Sequence, residues 1–212
     1  MDQMYADRAI IREVQPRDLG ALYRIALRTG KWGSDASLIY RDPDLVGHVF
    51  SAPYLALPLG TGFVVDISGD VLGYCVGTAD TESFNAQLEA HWWPALRQKY
   101  IKPDEDKRGS WNADDDLMHV IYEPVLPPQE IVNAYPGHLH MNLMPQLQRQ
   151  GFGPRLLEAF ITKATSLGAD GFHLGADRRN KRGVEFWRSQ GFDVYFRQVI
   201  DSASNNVWMV LE

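Results

Sequence analysis

Apolar and polar positions recur along this chain with two distinct periods, and those periods sketch its elements. Ile10-Ile11-Arg12-Glu13-Val14 reads as a short first strand. From Asp18 onward Leu19, Leu22, Tyr23, Ile25, Ala26 and Leu27 recur at helical spacing until Gly30, which predicts a first long helix. A second helix starts at Asp42 or Asp44 and runs towards Phe50. Residues 63–67 and 71–76 flank Ser68-Gly69-Asp70, a hairpin signal. Phe84, Leu88, Trp92 and Leu96 fall every four residues across 81–100, a helix that Pro94 should kink or break.

Residues 104–116 interrupt this regularity with six acidic and two basic residues around Gly109, Ser110 and Asn112, and read as a solvated loop, either a spacer or a lid. Residues 118–122 and 138–144 look like strands. The clearest helix spans 154–167, with Leu156, Leu157, Phe160, Ile161, Ala164 and Leu167 on one face, Pro154 in its first turn and Gly168 as its stop. A strand at 171–175, a helix near Asn180 with Val184 and Trp187 turned inward, and a hairpin of 192–200 with 207–211 across 201–206 complete the order. No repeat and no linker divides the chain. These signals predict one α/β (α+β) domain over residues 1–212.

Composition narrows the partners. The 212 residues are 45% hydrophobic and 23% charged, as in folded chains, and 21 basic against 27 acidic residues give a formal charge of −6. That sign argues against nucleic acid and anionic membrane as partners. Cys75 is the sole cysteine, which excludes an internal disulfide framework and a site of several thiolates. Residues 45–65 run for 21 positions without Asp, Glu, Lys or Arg, but Pro53, Pro58 and three glycines break any spanning helix. Residues 1–8 lack the apolar core of a signal peptide. A soluble cytoplasmic protein, monomer or homodimer, is expected.

The most informative stretch is Leu143 to Gly153, where a strand meets a glycine-containing turn that opens the clearest helix. Glycine lets backbone N–H groups converge, and the helix start adds unpaired donors and positive potential, so the junction suits a pyrophosphate. Neither the dinucleotide fingerprint nor the Walker loop is present. Gln148-x-x-Gly151-x-Gly153 instead resembles the Q/R-x-x-G-x-G/A loop of the GCN5-related N-acetyltransferases. Asn180-x-x-Gly183-x-x-Phe186-Trp187 with Gly191-Phe192, and the opening 11–19, resemble further parts of that family. The similarity is specific over 135–198 and weak across 81–134. Tyr135-Pro136-Gly137-His138-Leu139-His140 resembles the acetyltransferase-like domain at the end of O-GlcNAc hydrolases and its bacterial relatives.

The resemblance implies a mixed, splayed sheet with helices on both faces, and acetyl-CoA as the cofactor. It assigns Gln148, Arg149, Gln150, Gly151, Phe152 and Gly153 to the pyrophosphate, the Leu143 backbone and Asn180 to the pantetheine arm, and an amine or peptide as acceptor. Arg149 and Arg155 would add charge to the phosphate contacts, while Pro154 removes one N–H from the cradle. The family's usual proton donor is a tyrosine where this chain has Trp187, and Tyr195 or Tyr135 are the substitutes to consider. For the base, Asp177 stands at a strand end and His138 and His140 share one strand face. Asp177 reads equally as a helix cap, and the histidines as a structural pair. A metal site of His138, His140 and His173 lacks a carboxylate partner, so no metal is expected. Arg178-Arg179-Asn180-Lys181-Arg182 with Arg188 reads as either an attractor for the cofactor's 3′-phosphate or a solvated face. A CoA-binding module without turnover, and a peptide-binding module using Trp92, Trp93 and Trp111, remain alternatives.

Overall fold

β-branched Ile10 and Ile11 favour extended backbone, and Ala9–Glu13 forms β1. The chain then runs through a turn of 3₁₀ helix, Pro16–Asp18, into α1 (Leu19–Thr29), whose buried stripe is Leu22, Ile25, Ala26 and Thr29. α2 (Leu45–Phe50) and α3 (Pro53–Ala56) follow. β2 (Gly60–Ile67) and β3 (Asp70–Thr78) make the expected hairpin, closed by a turn in which Ser68 and Gly69 both take positive φ, 54° and 94°. The computed structural model describes residues 8–195 and 206–212. The reading of residues 1–7, and the end of the last hairpin's first arm with its loop across 196–205, lie outside them.

The segment predicted as one long helix is α4 (Thr81–Gln87), a π-helical turn at Leu88–Trp92, and α5 (Trp93–Lys99). The break expected at Pro94 is thus a π turn, with the proline in the first turn of α5, where its missing N–H costs nothing. Two expectations fail nearby. Residues 118–122, read as a strand, belong to α6 (Ala113–Tyr122), and the acidic stretch read as a loop holds a 3₁₀ turn, Glu105–Ser110, and the start of that helix. Asn112 Oδ1 accepts from the Asp114 and Asp115 N–H groups while Asp115 accepts from the Asn112 N–H at 2.9 Å, so the acidic residues form a reciprocal cap. Three carboxylates in the first turn also suit the positive end of a helix.

α7 (Gln129–Ala134) leads into β4 (Gly137–Leu143). α8 (Phe152–Ser166) starts two residues before the predicted helix, and β5 (Phe172–Asp177), α9 (Lys181–Ser189), β6 (Asp193–Val194) and β7 (Asn206–Leu211) complete the order. The sheet has the order β1-β2-β3-β4-β5-β7-β6, antiparallel throughout except for β4 with β5. Helices cover both faces. On one, α1 to α6 pack Leu22, Ile25, Leu45 and Ile121 around Val64, Tyr74 and Val76. On the other, α8 buries Leu156, Leu157, Phe160 and Ala164 against Val65, Leu139, Phe172 and Leu174. Each large side chain so buried contributes about 1.5–3 kcal/mol. Among the described residues no helix is long and apolar enough to cross a membrane.

Arg12 ties β1 to α1 and β2. Its guanidinium donates to both Asp18 carboxylate oxygens at 2.7 and 2.9 Å and to Asp66 Oδ2 at 2.9 Å. Asp18, which is 4% exposed, also accepts from the Gln15 N–H, and the Arg12 bonds hold its carboxyl below the usual carboxylate range. Replacing Arg12 by Leu leaves two nearly buried carboxylates uncompensated and should cost about 3 kcal/mol at neutral pH, read from urea unfolding. Because the folded-state pKa of Asp18 is lowered, its contribution is complete above its unfolded value, about 3.9, and is lost as pH falls below that value. The difference between parent and Arg12→Leu should therefore shrink in acid.

Candidate functional site at the parting of the sheet

β4 and β5 pair over two positions, Gly137 with Phe172 and His138 with His173. Beyond these β4 stays with β3 as far as Leu143, and β5 stays with β7 as far as Asp177. The strands therefore diverge towards their carboxyl ends, and two cavities meet in the gap. One, of about 690 Å³, lies at the start of α8 and beside α9; its walls include Leu143, Gln148, Arg149, Gly151, Gly153 and Arg182. The other, of about 240 Å³, lies towards α1 and α2, with Tyr40, Phe50, Tyr74, His140 and Asp177 on its walls. Trp32, Gly33, Met141, Asn142, Asn180 and Trp187 border both.

The turn before α8 is strained in a way that serves the larger cavity. Arg149 takes φ 61°, which costs a non-glycine residue energy, and Gly151 takes φ 79° as the residue preceding the helix. No side chain caps α8, so the N–H groups of Phe152 and Gly153 stay free at the helix start, while Pro154 has none to give. A Cβ on Gly153 would stand 3.0 Å from the Phe186 ring, so α8 and α9 approach closely only because that position is bare. The Gln148 side chain fastens the turn. Its amide nitrogen donates to the Leu143 and Gly33 carbonyls, both at 3.0 Å, and its oxygen accepts from Arg182 at 2.9 Å.

Of the residues assigned from sequence to the pyrophosphate and its arm, Leu143, Gln148, Arg149, Gly151, Gly153 and Asn180 line the larger cavity. Gln150, Phe152 and Arg155 do not. Phe152 is 2% exposed in the core, and the Arg155 guanidinium lies 5.6 Å over the Phe152 ring, whereas Arg182 lines the cavity. Asn180 Oδ1 accepts from the Gly183 N–H and caps α9. Within the basic cluster, Arg182 and Arg179 are committed to Gln148 and Asp177.

The candidate bases separate sharply. Asp177 Oδ1 accepts from the Arg179 N–H at 2.8 Å, and its carboxylate is bonded again by the Arg179 guanidinium at 2.6–3.1 Å. That pairing lowers its pKa, which makes the carboxylate a cap and an anchor and a poor proton acceptor. His138 is locked. Thr81 Oγ1 donates to the Pro136 carbonyl and so accepts from His138 Nδ1–H at 2.7 Å, leaving Nε2 to accept from the Tyr54 hydroxyl at 2.7 Å. His173 Nδ1 donates to the Tyr135 carbonyl. Both ring nitrogens of His138 are thus engaged within the protein. His140, half-buried against Phe50 and Tyr54, faces the smaller cavity, and burial followed by the nearby His173 pushes its pKa down to about 4.

Neither Tyr135 nor Tyr195 lines a cavity; they face one another, their rings 6.5 Å apart. Tyr40 and Tyr74 on the acceptor-side wall escaped the sequence reading, because nothing in local spacing carries a loop tyrosine to a strand end 100 residues away. Trp92, Trp93 and Trp111 form no exposed cluster. Trp93 is 4% exposed, Trp92 donates to the His48 carbonyl and Trp111 to the Asp104 carbonyl. Glu105, His119 and Glu123 bring one potential ligand atom each within 4.8 Å of one another, but Lys102 Nζ already bonds both carboxylates.

No protein-family model matches the chain. It is 31% identical to SsHAT, whose crystal structure superposes with a TM-score of 0.83 over 96% of this chain and 97% of that one. The yncA protein of Salmonella typhimurium, solved with its cofactor acetyl-CoA, shares the fold at a TM-score of 0.53, with 16% identity over 97% of this chain and 94% of that one. Among curated proteins, the chain is 24% identical over 182 residues to the Protein O-GlcNAcase of Rattus norvegicus, a match that takes in 85% of this chain and 20% of the rat protein. The chain thus spans about a fifth of the length of that curated relative.

His140 makes the site sensitive to acid. A histidine whose folded-state pKa lies below its unfolded value contributes stability that is complete above about pH 6.5 and is lost as pH falls towards its folded-state pKa. Between pH 6.5 and 4, unfolding free energy should drop by as much as about 1 kcal/mol per pH unit on account of this ring. The same titration on His140→Gln should give a visibly shallower slope.

Proposed function

The chain belongs to the GCN5-related N-acetyltransferase family, and from that premise we propose that it binds acetyl-CoA in the larger cavity and acetylates an amine held in the smaller one. The observation that carries this reading is the strained Arg149–Gly151 turn, which aims the free amides of a helix start into a cleft at the end of a parted strand. The donor set fits a pyrophosphate: the Gly153 amide at the bare Gly151–Gly153 turn, with Arg149 and Arg182 at the rim. The open edge of β4 near Leu143 and the capping Asn180 are placed for an extended amide-bearing arm.

Acetyl-CoA would supply a thioester, and the protein's share is orientation and one proton. His140 is the group on the acceptor wall placed to pass that proton on to solvent, since Asp177 is committed to Arg179; burial, which lowers the pKa of its imidazole, lets it release a proton but not hold one. Trp187, where the family has its tyrosine, has only an indole N–H and gives no useful proton. The leaving thiol needs little help, with an ordinary pKa of roughly 8.5.

A second reading, a CoA-binding module without turnover, is favoured by the same two features, the locked Asp177 and the tryptophan at the donor position. Titration calorimetry with acetyl-CoA and a thiol-release assay on an amine panel separate the two. Gly151→Val should weaken acetyl-CoA at least about tenfold, because the new side chain cannot adopt φ 79° without strain; unchanged affinity in a folded variant removes the loop from the site. With turnover present, His140→Gln should lose about a hundredfold in rate while keeping acetyl-CoA affinity, and Asp177→Asn should lose far less. The reverse order would make Asp177 the base. Tight acetyl-CoA binding with no thiol release from any amine decides for the binding module.

A further inference from the structure

The acceptor cavity has a charge inventory that narrows its occupant. We infer that it takes a small primary amine carrying no anionic group, and that Trp32 is the wall that limits the amine's bulk. This rests on the acetyltransferase reading for the chemistry, though not for the binding.

Among the described residues no lysine or arginine lines the cavity, and Asp177 is the single charged side chain on its walls. The Arg179 guanidinium is spent on Asp177 and lies on the Trp32 ring, 5.3 Å from its centroid, outside the lining. His140 is neutral near pH 7, so it brings no positive charge. Three of the other polar side chains on its walls satisfy one another, while Tyr40 and Asn180 keep polar atoms but no charge there. Tyr74 donates to Asn142 Oδ1, Asn142 Nδ2 donates to Thr29 Oγ1, and Thr29 donates to the Ile25 carbonyl. A carboxylate or phosphate entering here would give up its water beside the Asp177 carboxylate and find no cation on the described walls. An amine meets the opposite situation. The rings of Trp32, Tyr40 and Phe50 line the space an ammonium would occupy, and the neutral His140 imidazole can accept a hydrogen bond from it.

Trp32 is held from the cofactor side. It takes φ 51°, a strained value for a tryptophan, and its indole N–H points at Asp177 Oδ2, 3.4 Å away. Arg179 packs on its ring, and the next carbonyl, Gly33, accepts from Gln148. The ring, contacted by Asp177 and Arg179 of the β5–α9 junction, borders both cavities, and the 240 Å³ behind it sets the room for a small skeleton.

The test uses matched pairs that differ by one carboxylate: hexylamine against 6-aminohexanoate, and 2-phenylethylamine against phenylalanine. Calorimetric affinities are measured on the whole chain with and without saturating CoA, so that they do not depend on turnover. The amine of each pair should bind at least about tenfold tighter than its carboxylate partner; equal affinities, or no amine binding at all, overturn the inference. Tyr40→Lys places a cation on the wall from a loop position and should narrow or reverse the preference. An unmoved preference in the folded variant overturns the charge argument. Trp32→Ala, with Trp32→Phe as the milder change should the first misfold, should favour a bulky amine such as 1-adamantylmethylamine over hexylamine relative to the parent. A proportional change for both amines removes Trp32 as the limit. A lysine-containing peptide binding more tightly than either small amine would replace the small-amine assignment with a protein acceptor. Acetyl-CoA affinity, measured on the same samples, reports separately on the acetyltransferase reading: its loss with the amine preference intact leaves the cavity assignment standing.

Discussion

The separation of β4 from β5 after two paired positions is the constraint on which the rest depends. Each strand has a stronger claim elsewhere, β4 on β3 through Leu143 and β5 on β7 along its whole length. Right-handed twist accumulating across the sheet then drives the two halves apart at their carboxyl ends. A strand edge without a neighbour is a liability in a solvated protein unless something covers or uses it. Here the turn before α8 and the Trp32–Gly33 turn flank that edge, and the inner side of β4 becomes a wall. Alternation along β4 gives the wall two characters. Leu139, Met141 and Leu143 pack towards α8, whereas His138, His140 and Asn142 face the helices of the opposite side.

Polar residues around this gap are distributed so that few charges remain free within it. Gln148 spends both of its amide protons on carbonyls of two separate segments, and its oxygen draws Arg182 to the rim. Asp177 and Arg179 neutralise one another at the start of α9. Burial keeps His138, His140 and His173 neutral. The positive potential in the larger cavity comes from the helix start and two arginines, and the smaller cavity is nearly free of charge. In the proposed reading this distribution sorts an anion and an amine to opposite sides of Trp32.

Much of this was legible in the sequence because it is local. Helix starts, the hairpin at Ser68-Gly69 and the turn at Gly151 are each set by residues within a few positions of one another, and those elements appear close to where the pattern puts them. What the pattern missed is either ambiguous locally or wholly non-local. Met118-His119-Val120-Ile121 has strand-like composition, and its helical state is decided upstream by the Asn112–Asp115 cap, hidden among carboxylates that look merely solvated. Burial of Leu117 and Ile121 against α2 and α5 then overrides β propensity. In the site, Gln148 and Gly151 could be found from spacing, whereas Trp32, Tyr40 and Phe50 reach the cavity from segments 100 or so residues away. The Asp177–Arg179 pair lies two residues apart and is the exception. The capping reading weighed for Asp177 is half met: its oxygen accepts from the Arg179 N–H in an Asx-type turn just before α9, while Asn180 is the helix cap.

Trp187 shows how packing and chemistry compete for one position. Its ring meets Phe186 and Phe192 edge-on, 5.0 and 5.3 Å away, and also borders both cavities, so a single side chain serves the core and the site. A tyrosine there would offer an acidic hydroxyl but less apolar surface to Phe192. The chemistry proposed for the site tolerates that exchange unequally. A thiolate leaving group is stable in water at little more than neutral pH, so an acid near it lowers the barrier modestly, whereas an alkylammonium with a pKa near that of lysine, about 10.4, cannot attack until its proton is gone. Losing the acid is therefore the smaller loss, and the greater demand falls on the acceptor side. There His140 is the neutral imidazole facing the cavity, which the proposed chemistry would use to pass the amine's proton on to solvent, on the strand whose separation from β5 made the cavity in the first place.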